Sequence, residues 1–354
     1  MPKLITIIPV KNDGWFIENS IRSAAEWSDF VFVADECSND GSHGIYKELE
    51  KEYSNLKIIY DRPKFDFNTP DVRNYSLGLA RNFDGNNIIF EIHADEIMSA
   101  EILNKSVRER LINDMPIGSA LIAPWINLWK SPFYFRDDKS TWSNSKCWFA
   151  YRDDRKVRFE NAVFHGSRAP EAFLGNRVDI NYLSVMHYQF VNLSMERSKQ
   201  ALYQVFERNH YPNKNVEHIN KIYACAFDER DVVLKKLEEK HYRPWLDKNI
   251  KIDKEYPIDA YNWRDTEILK NFYKFGLSNY KNLNIWYIDW EKKRQEAIRL
   301  GITDNIPIIP IIDPRDISTK LAHLFLMKYQ KYPFWRFNFY KLLIEKAKER
   351  LRRL

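Results

Sequence analysis

Between residues 88 and 98 the chain reads Ile-Ile-Phe-Glu-Ile-His-Ala-Asp-Glu-Ile-Met, an apolar, β-branched run ending in ionisable residues. Such a run predicts a buried strand that carries its polar end to the edge of a parallel sheet, where ligands of α/β proteins bind. With a two-residue period, Glu91, His93 and Asp95 fall on one face, while Phe90, Ile92 and Ala94 fall on the other. Three ionisable groups on one strand face are costly unless they pair or hold a cation. A polar strand end with solvated charges is the competing explanation.

The elements that position this stretch can be read upstream. Residues 4–10 predict a first strand, Lys11-Asn12-Asp13-Gly14 a turn, residues 15–27 a helix and residues 30–34 a second strand. That is a βαβ unit, whose parallel connection is expected to be right-handed. An acidic, turn-forming loop, Asp35-Glu36-Cys37-Ser38-Asn39-Asp40-Gly41-Ser42, follows the second strand, and then come a helix over about 45–53 and a third strand at 56–60. Again the polar cluster sits at a strand's C-terminal end.

Composition sets outer bounds. The 354 residues suffice for two domains or for one domain with a sizeable appendage, and 44% hydrophobic with 15% aromatic residues supply a core that needs no disulfide support. Cys37, Cys147 and Cys225 are odd in number, far apart and in no metal-ligand spacing, which suits a reducing cytoplasm. The N-terminus lacks a signal-peptide pattern, and no run of about 18 apolar residues predicts a membrane span. Of the net charge of +6, residues 320–354 carry ten basic minus two acidic side chains, or +8, so the preceding residues carry −2. Nucleic acid is not expected among the partners.

Four stretches together carry a resemblance: Ile8-Pro9-Val10-Lys11-Asn12, the Asp35-to-Ser42 loop, Arg73-Asn74-x-x-Leu77-Gly78-x-Ala80 and His93-Ala94-Asp95-Glu96. Their order and spacing resemble the successive signatures of family 2 glycosyltransferases of the GT-A fold, over the first quarter to half of the chain. The resemblance implies a Rossmann-like α/β fold with a mixed, mostly parallel sheet, and nucleotide-sugar binding through Pro9, Asn12, Asp35, Arg73, Asn74, His93 and Asp95. Asp35 would accept from the base or ribose, unless it only caps its own turn. Arg73, beside a helix N-terminus, suits a pyrophosphate, and pairing with Glu91 is an alternative or concurrent role.

The family's Asp-x-Asp stands here as His93-x-Asp95. The resemblance makes Asp95 a direct ligand of a divalent ion, Mn²⁺ or Mg²⁺, with His93 replacing the other acid or touching diphosphate or sugar instead; imidazole suits Mn²⁺ better than Mg²⁺. His187, in the 185–188 stretch that follows another strand pattern, resembles the late histidine that completes such metal sites, with a purely structural role near a strand end as the alternative. Residues 100–190 read as the sugar and acceptor half. Trp125, Trp129, Phe133, Phe135, Trp142, Trp148 and Phe149 concentrate rings there, for sugar stacking or for the core. Strands are expected at 119–124, 146–151 and 157–164. An inverting transfer needs a carboxylate to take the acceptor's proton, and Glu160 and Glu171 are the candidates, with Asp153 and Asp154 behind them.

The expected organisation is a catalytic domain over 1–191 (nucleotide half 1–99, acceptor half 100–191), a helical appendage over 192–315 and a basic amphipathic tail over 316–354. Helices are expected at about 195–208, 219–226, 228–240, 265–275 and 289–300. The tail's basic and aromatic residues predict attachment to an anionic membrane through 317–354, with packing on the catalytic domain as the competing role. These readings imply a cytoplasmic glycosyltransferase, peripheral on the inner face of a membrane. A nucleotide-sugar donor, a glycan or lipid-linked acceptor and bacterial surface polysaccharide synthesis complete the expectation. A nucleotidyl or phosphoryl-type transferase on the same fold, or an inactive glycan-binding protein, would share many of these features.

Overall fold

The structure, a computed structural model, describes residues 1–60, 70–138, 143, 145–160, 167–224, 232–256 and 259–329. The chain forms two compact units: Met1–Phe135, Asn144–Gln189 and Lys235–Lys254 make the first, and Arg136–Ser143, Phe190–Leu234 and Glu255–Leu354 the second. The first unit opens with β1 (Leu4–Val10), α1 (Ile17–Ala25), β2 (Phe30–Asp35), α2 (Ser42–Glu52), β3 (Leu56–Ile59), α3 (Asp71–Ala80) and β4 (Ile88–Glu91). The chain continues through β5 (Glu96–Met98), α4 (Lys105–Asp114), β6 (Ala120–Asn127), β7 (Tyr134–Arg136), β8 (Ser145–Arg152), β9 (Arg177–Asp179) and β10 (Val185–His187). Next in the chain come α5 (Leu193–His210) and α6 (Val216–Ala224), then β11 (Leu234–Lys236) and α7 (Glu239–Asp247), and last α8 (Trp263–Phe275), α9 (Trp290–Arg299) and α10 (Ile317–Tyr329).

The expected α/β class is found. One sheet runs in the order β3-β2-β1-β4-β8-β6-β10-β5, with β9 beside β6, and β7 pairs separately with β11. The pairings make β1 to β4, β6, β9 and β10 run one way, and β5 and β8 the other. Alternation in the sequence fixes which residues face which layer. Ile8, Val10, Val31 and Val33 pack with Ile17, Ile21, Ala24 and Leu49 of α1 and α2, whereas Ile5, Ile7, Phe32 and Ile89 pack with Leu77 and Ala80 of α3. Both faces of these strands are therefore buried, which explains their near-continuous apolar runs.

In the second unit, Asn262 and Asp265 form a reciprocal capping box at the start of α8. Buried Asp265 also accepts from Ser198 of α5 and pairs with Lys293 of α9 at 3.1 Å. Phe272 stacks on Trp286 and meets Trp290 edge-on, at 5.4 Å in each case.

Three expectations are corrected. The strand at 88–98 stops at Glu91, and residues 93–96 turn, so Glu91, His93 and Asp95 do not continue one strand face. Local polar bonds favour that turn: the Glu96 amide donates to His93 O, the His93 amide to Glu96 Oε2, and Ser20 Oγ, with its one proton, donates to Glu96 O at 2.9 Å and lies 3.2 Å from His93 O. The helix expected over 228–240 begins only at Glu239. Leu234–Lys236 is a strand instead, flanked by β-ladder bonds from the Asp137 amide to Val233 O and the Leu237 amide to Phe133 O; residues 228–231 lie outside the described residues. Of the strand expected over 157–164, residues 157–160 are irregular because the Asn74 side chain, not a neighbouring strand, pairs with the Phe159 backbone. Residues 161–164 are outside the described set.

Candidate active site

With seven strands aligned, their C-terminal ends share one edge of the sheet, and the N-terminal ends of the reversed β5 and β8 meet the same edge. Sequence therefore gathers Asn12 after β1, Asp35 at the end of β2, the 93–95 turn after β4, Asn127 ending β6, His187 ending β10, Glu96 opening β5 and Ser145 opening β8. This is the edge at which open α/β sheets bind ligands.

At the β1 and β2 ends the loops are tied by side chains. Asn12 adopts a left-handed backbone, φ 52°, a conformation Asn tolerates better than most residues. Its amide donates to Ser38 Oγ at 2.8 Å, and its Oδ1 accepts from the Asn39 amide at 2.7 Å. Asp35 is fully buried. Its Oδ1 accepts from the Ser38 amide and its Oδ2 from the Tyr46 hydroxyl, at 2.7 and 2.8 Å, with His43 Nε2 at 3.6 Å from Oδ1. Burial, then the Asp35 charge, drives the Tyr46 hydroxyl pKa up. The turn-ordering role weighed for Asp35 is thus present in the structure. Pro9 lies in β1, paired in register with Ala34.

The 93–96 turn is locked by a residue that sequence reading passed over. Arg168, buried, donates to both carboxylate oxygens of buried Glu96 at 2.6 and 2.8 Å, and to Glu91 O at 3.1 Å. Its Nη2 also lies 3.2 Å from His93 Nδ1. Trp125 Nε1 donates to Glu96 Oε1 at 2.8 Å. Burial alone would raise the Glu96 pKa, but the charges of Arg168 and His93 and the Arg168 hydrogen bonds prevail and bring it to about 2. The Arg168 pKa rises although burial opposes it, through the charges of Cys147, Glu96 and Glu91. Glu91 Oε1 lies 3.6 Å from His93 Nε2, and its pKa is lowered: burial works against this, and His93, Arg73 and Arg168 outweigh it.

Asp95 and His187, distant in sequence, meet here. Both are buried, and Asp95 Oδ1 is 3.5 Å from His187 Nε2. The His187 ring stacks on Trp125 at 4.5 Å, 15° from parallel, and its Nδ1 lies 2.9 Å from Asn127 Oδ1.

Arg73 and Asn74, in the first turn of α3, bind the segment that carries the candidate bases. Arg73 Nη1 donates to Ser167 O, and its guanidinium lies 5.6 Å from the Phe159 ring. Asn74 pairs with both backbone groups of Phe159, at 2.9 and 3.0 Å. Glu160 follows directly, and its amide reaches Glu171 Oε2 at 3.5 Å, which places the Glu171 carboxylate beside the Glu160 backbone. Asp153 receives a bidentate bond from Arg81, and Asp154 accepts from the amides of Lys156 and Val157, so both are engaged in shaping this loop. Among the rings, Trp129 and Phe149 are core residues, and Trp142 lies outside the described residues.

The site thus unites the expected His93, Asp95 and His187, and separately links Arg73, Asn74, Glu160 and Glu171. Sequence reading missed Glu96, Arg168, Asn127, Trp125 as a hydrogen-bond donor, and Ser145. Glu96 and the alternating Trp125 and Asn127 were visible as polar-tipped positions near strand ends. Arg168 lies in a loop with no local signal.

Few of these donors are open to a divalent ion. Glu96 is committed to Arg168 and Glu91 faces His93, and no group of three His, Cys, Asp or Glu among the described residues is arranged to hold a metal. Asp95 and His187 still form a fitting pair: 3.5 Å is too long for a good hydrogen bond yet within reach of two ligands of one ion bound at about 2.0–2.2 Å each. The residues present fit an ion that completes its shell with ligand oxygens.

Neither protein-family models nor curated protein sequences give a match to this chain. Among solved structures, the mannosyltransferase PcManGT from Pyrobaculum calidifontis, in complex with GDP-Man and Mn²⁺, is 13% identical with a TM-score of 0.38, covering 93% of this chain and 88% of that one. Residues 1–349 of S. aureus TarS in complex with UDP-GlcNAc are 16% identical with a TM-score of 0.36, covering 89% and 100%. The chain covers 44% of the longer S. aureus TarS structure, at 15% identity and a TM-score of 0.35 over 64% of this chain. A putative glucose-1-phosphate thymidylyltransferase from Bacillus anthracis has 11% identity and a TM-score of 0.28, covering 72% and 97%. At these scores the likeness assigns no residue a role.

Proposed function

We propose that this protein is a glycosyltransferase of the GT-A type that moves a sugar from a nucleotide-sugar donor to a hydroxyl of a glycan or lipid-linked acceptor, with inversion. The observation that carries the reading is the convergence of Asp95 and His187 to 3.5 Å at the C-terminal edge of the sheet, beside the four sequence signatures. The donor nucleotide would lie across the ends of β1 and β2, against the loops ordered by Asn12 and Asp35.

Asp95 and His187 would hold Mn²⁺ or Mg²⁺, with Mn²⁺ favoured by the imidazole. A bound ion supplies charge stabilisation to the departing diphosphate. Arg73 adds a guanidinium from the N-terminal turn of α3, and His93, whose ring is 42% exposed, can reach diphosphate or sugar. Glu160 or Glu171 would take the acceptor proton as the anomeric carbon is attacked from the face opposite the nucleotide. The basic tail would hold the enzyme at an anionic membrane, where a lipid-linked acceptor for bacterial surface polysaccharide would be found. Among the described residues, no helix is long and apolar enough to cross a membrane.

A thermal-shift screen of nucleotide sugars and nucleoside diphosphates, with and without Mn²⁺, tests this reading, since a ligand of the native state raises its melting temperature. At least one nucleotide should raise it in a Mn²⁺-dependent way. A flat response across the common nucleotides contradicts the proposal.

A further inference from the structure

We infer that Asn127 is the positioning residue that sets the tautomer of His187, keeping Nε2 free of its proton and turned toward Asp95 for a divalent cation. The inference rests on the metal reading above and adds to it a residue and a mechanism.

Register brings the partners together. Asn127 is the residue of β6 directly beside His187 of β10, and Trp125, two residues earlier, is opposite Ser145 of β8. An Asn side chain can present either its oxygen or its nitrogen to a neighbour, so its orientation must be read from its other bonds. The Ser145 hydroxyl supplies one such bond. Ser145 Oγ donates its one proton to Trp125 O at 3.0 Å, which leaves that hydroxyl as the acceptor for Asn127 Nδ2 at 3.0 Å. Asn127 therefore turns its Oδ1 toward His187 Nδ1, at 2.9 Å. An amide oxygen only accepts, so in this orientation Nδ1 carries hydrogen.

In neutral imidazole the other nitrogen then has a lone pair, and that nitrogen faces Asp95 Oδ1 at 3.5 Å. A lone pair aimed at a carboxylate oxygen is repulsive on its own and favourable around a cation between them. Burial of all three side chains and the stacked Trp125 ring hold the arrangement. Partners of this kind on the remote nitrogen of a ligating histidine commonly change metal affinity by about 10–100-fold.

The test is Mn²⁺ binding by the full-length protein in the presence of a nucleoside diphosphate, followed by the loss of the free-ion electron paramagnetic resonance signal. Asn127→Leu, similar in size but without an acceptor, should weaken binding about tenfold or more. Asn127→Asp, which keeps an acceptor for Nδ1–H, should restore it to within a few-fold of wild type. The imidazole ¹⁵N shifts of His187 in the metal-free wild-type protein, assigned by comparison with His187→Gln, should show hydrogen on Nδ1; this reading stands even if Asn127→Leu does not fold. Hydrogen on Nε2, or undiminished Mn²⁺ affinity in a folded Asn127→Leu protein, overturns the inference and leaves the metal reading intact. A wild-type protein that takes up no Mn²⁺ overturns both.

Discussion

Removing the guanidinium of Arg168 would leave Glu96 charged, fully buried and without its main partner. Breaking a buried ion pair from one side costs about 3–5 kcal/mol, because the remaining charge keeps its desolvation penalty. Arg168→Met should therefore lower the stability measured by urea unfolding by that order. Arg168→Lys should recover little, since an ammonium cannot make the two parallel bonds that now hold Glu96. If Arg168→Met unfolds at the same urea concentration as wild type, the pair does not brace the 93–96 turn. Asn74 offers a milder test at the same scale. Its amide makes two bonds to the Phe159 backbone, so Asn74→Ala should cost about 1–3 kcal/mol and should loosen the segment bearing Glu160 and Glu171. Unchanged hydrogen exchange at the Phe159 amide would show that the bonds contribute nothing.

Strands and helices with strong apolar alternation were legible in the sequence, because Ile8, Val10, Val31 and Val33 must face one layer and Ile5, Ile7 and Phe32 the other. The end of β4 was not. Whether the chain continues extended past Glu91 or turns is decided by Ser20 of α1 and by Arg168, both remote in sequence. The same holds for the site: Asp95 stood out beside its strand, but its 3.5 Å approach to His187 depends on β10 lying between β6 and β5. Helix ends supply a pH test. Glu291, in the first turn of α9, accepts two bonds from Arg294 and one from the Ile311 amide at 2.7 Å. The Arg294 bonds, against some desolvation and with help from the Ile311 amide, lower its pKa from 4.5 to about 2. A lowered carboxyl pKa stabilises the fold fully above the unfolded value, and that stability is lost as pH falls through 4.5 toward 2. Protection of the Ile311 amide, corrected for intrinsic exchange rate, should fall about tenfold across this window, consistent with the loss of one charge-assisted bond. Glu291→Gln should show most of that loss already at pH 7. Equal protection at pH 6 and pH 2.5 would contradict the assignment.

Over the whole molecule, charge is unevenly spread: residues 320–354 carry +8 and the rest −2, as counted above. Just before that basic stretch Ile308, Ile309, Ile312 and Ile317 are exposed, and within it Leu321 and Leu324 are. A protein truncated before Ile317 should bind anionic liposomes less than the full chain, and the full chain's binding should weaken with salt; equal binding would remove the membrane from the account. The chemistry is tested most directly by product analysis with a nucleotide sugar, selected by the thermal-shift screen, in the presence of Mn²⁺. The wild-type protein should release nucleoside diphosphate, and Asp95→Ala should release none above background. Pyrophosphate as the product, or turnover undiminished in Asp95→Ala, would contradict the assignment of this sheet edge to sugar transfer.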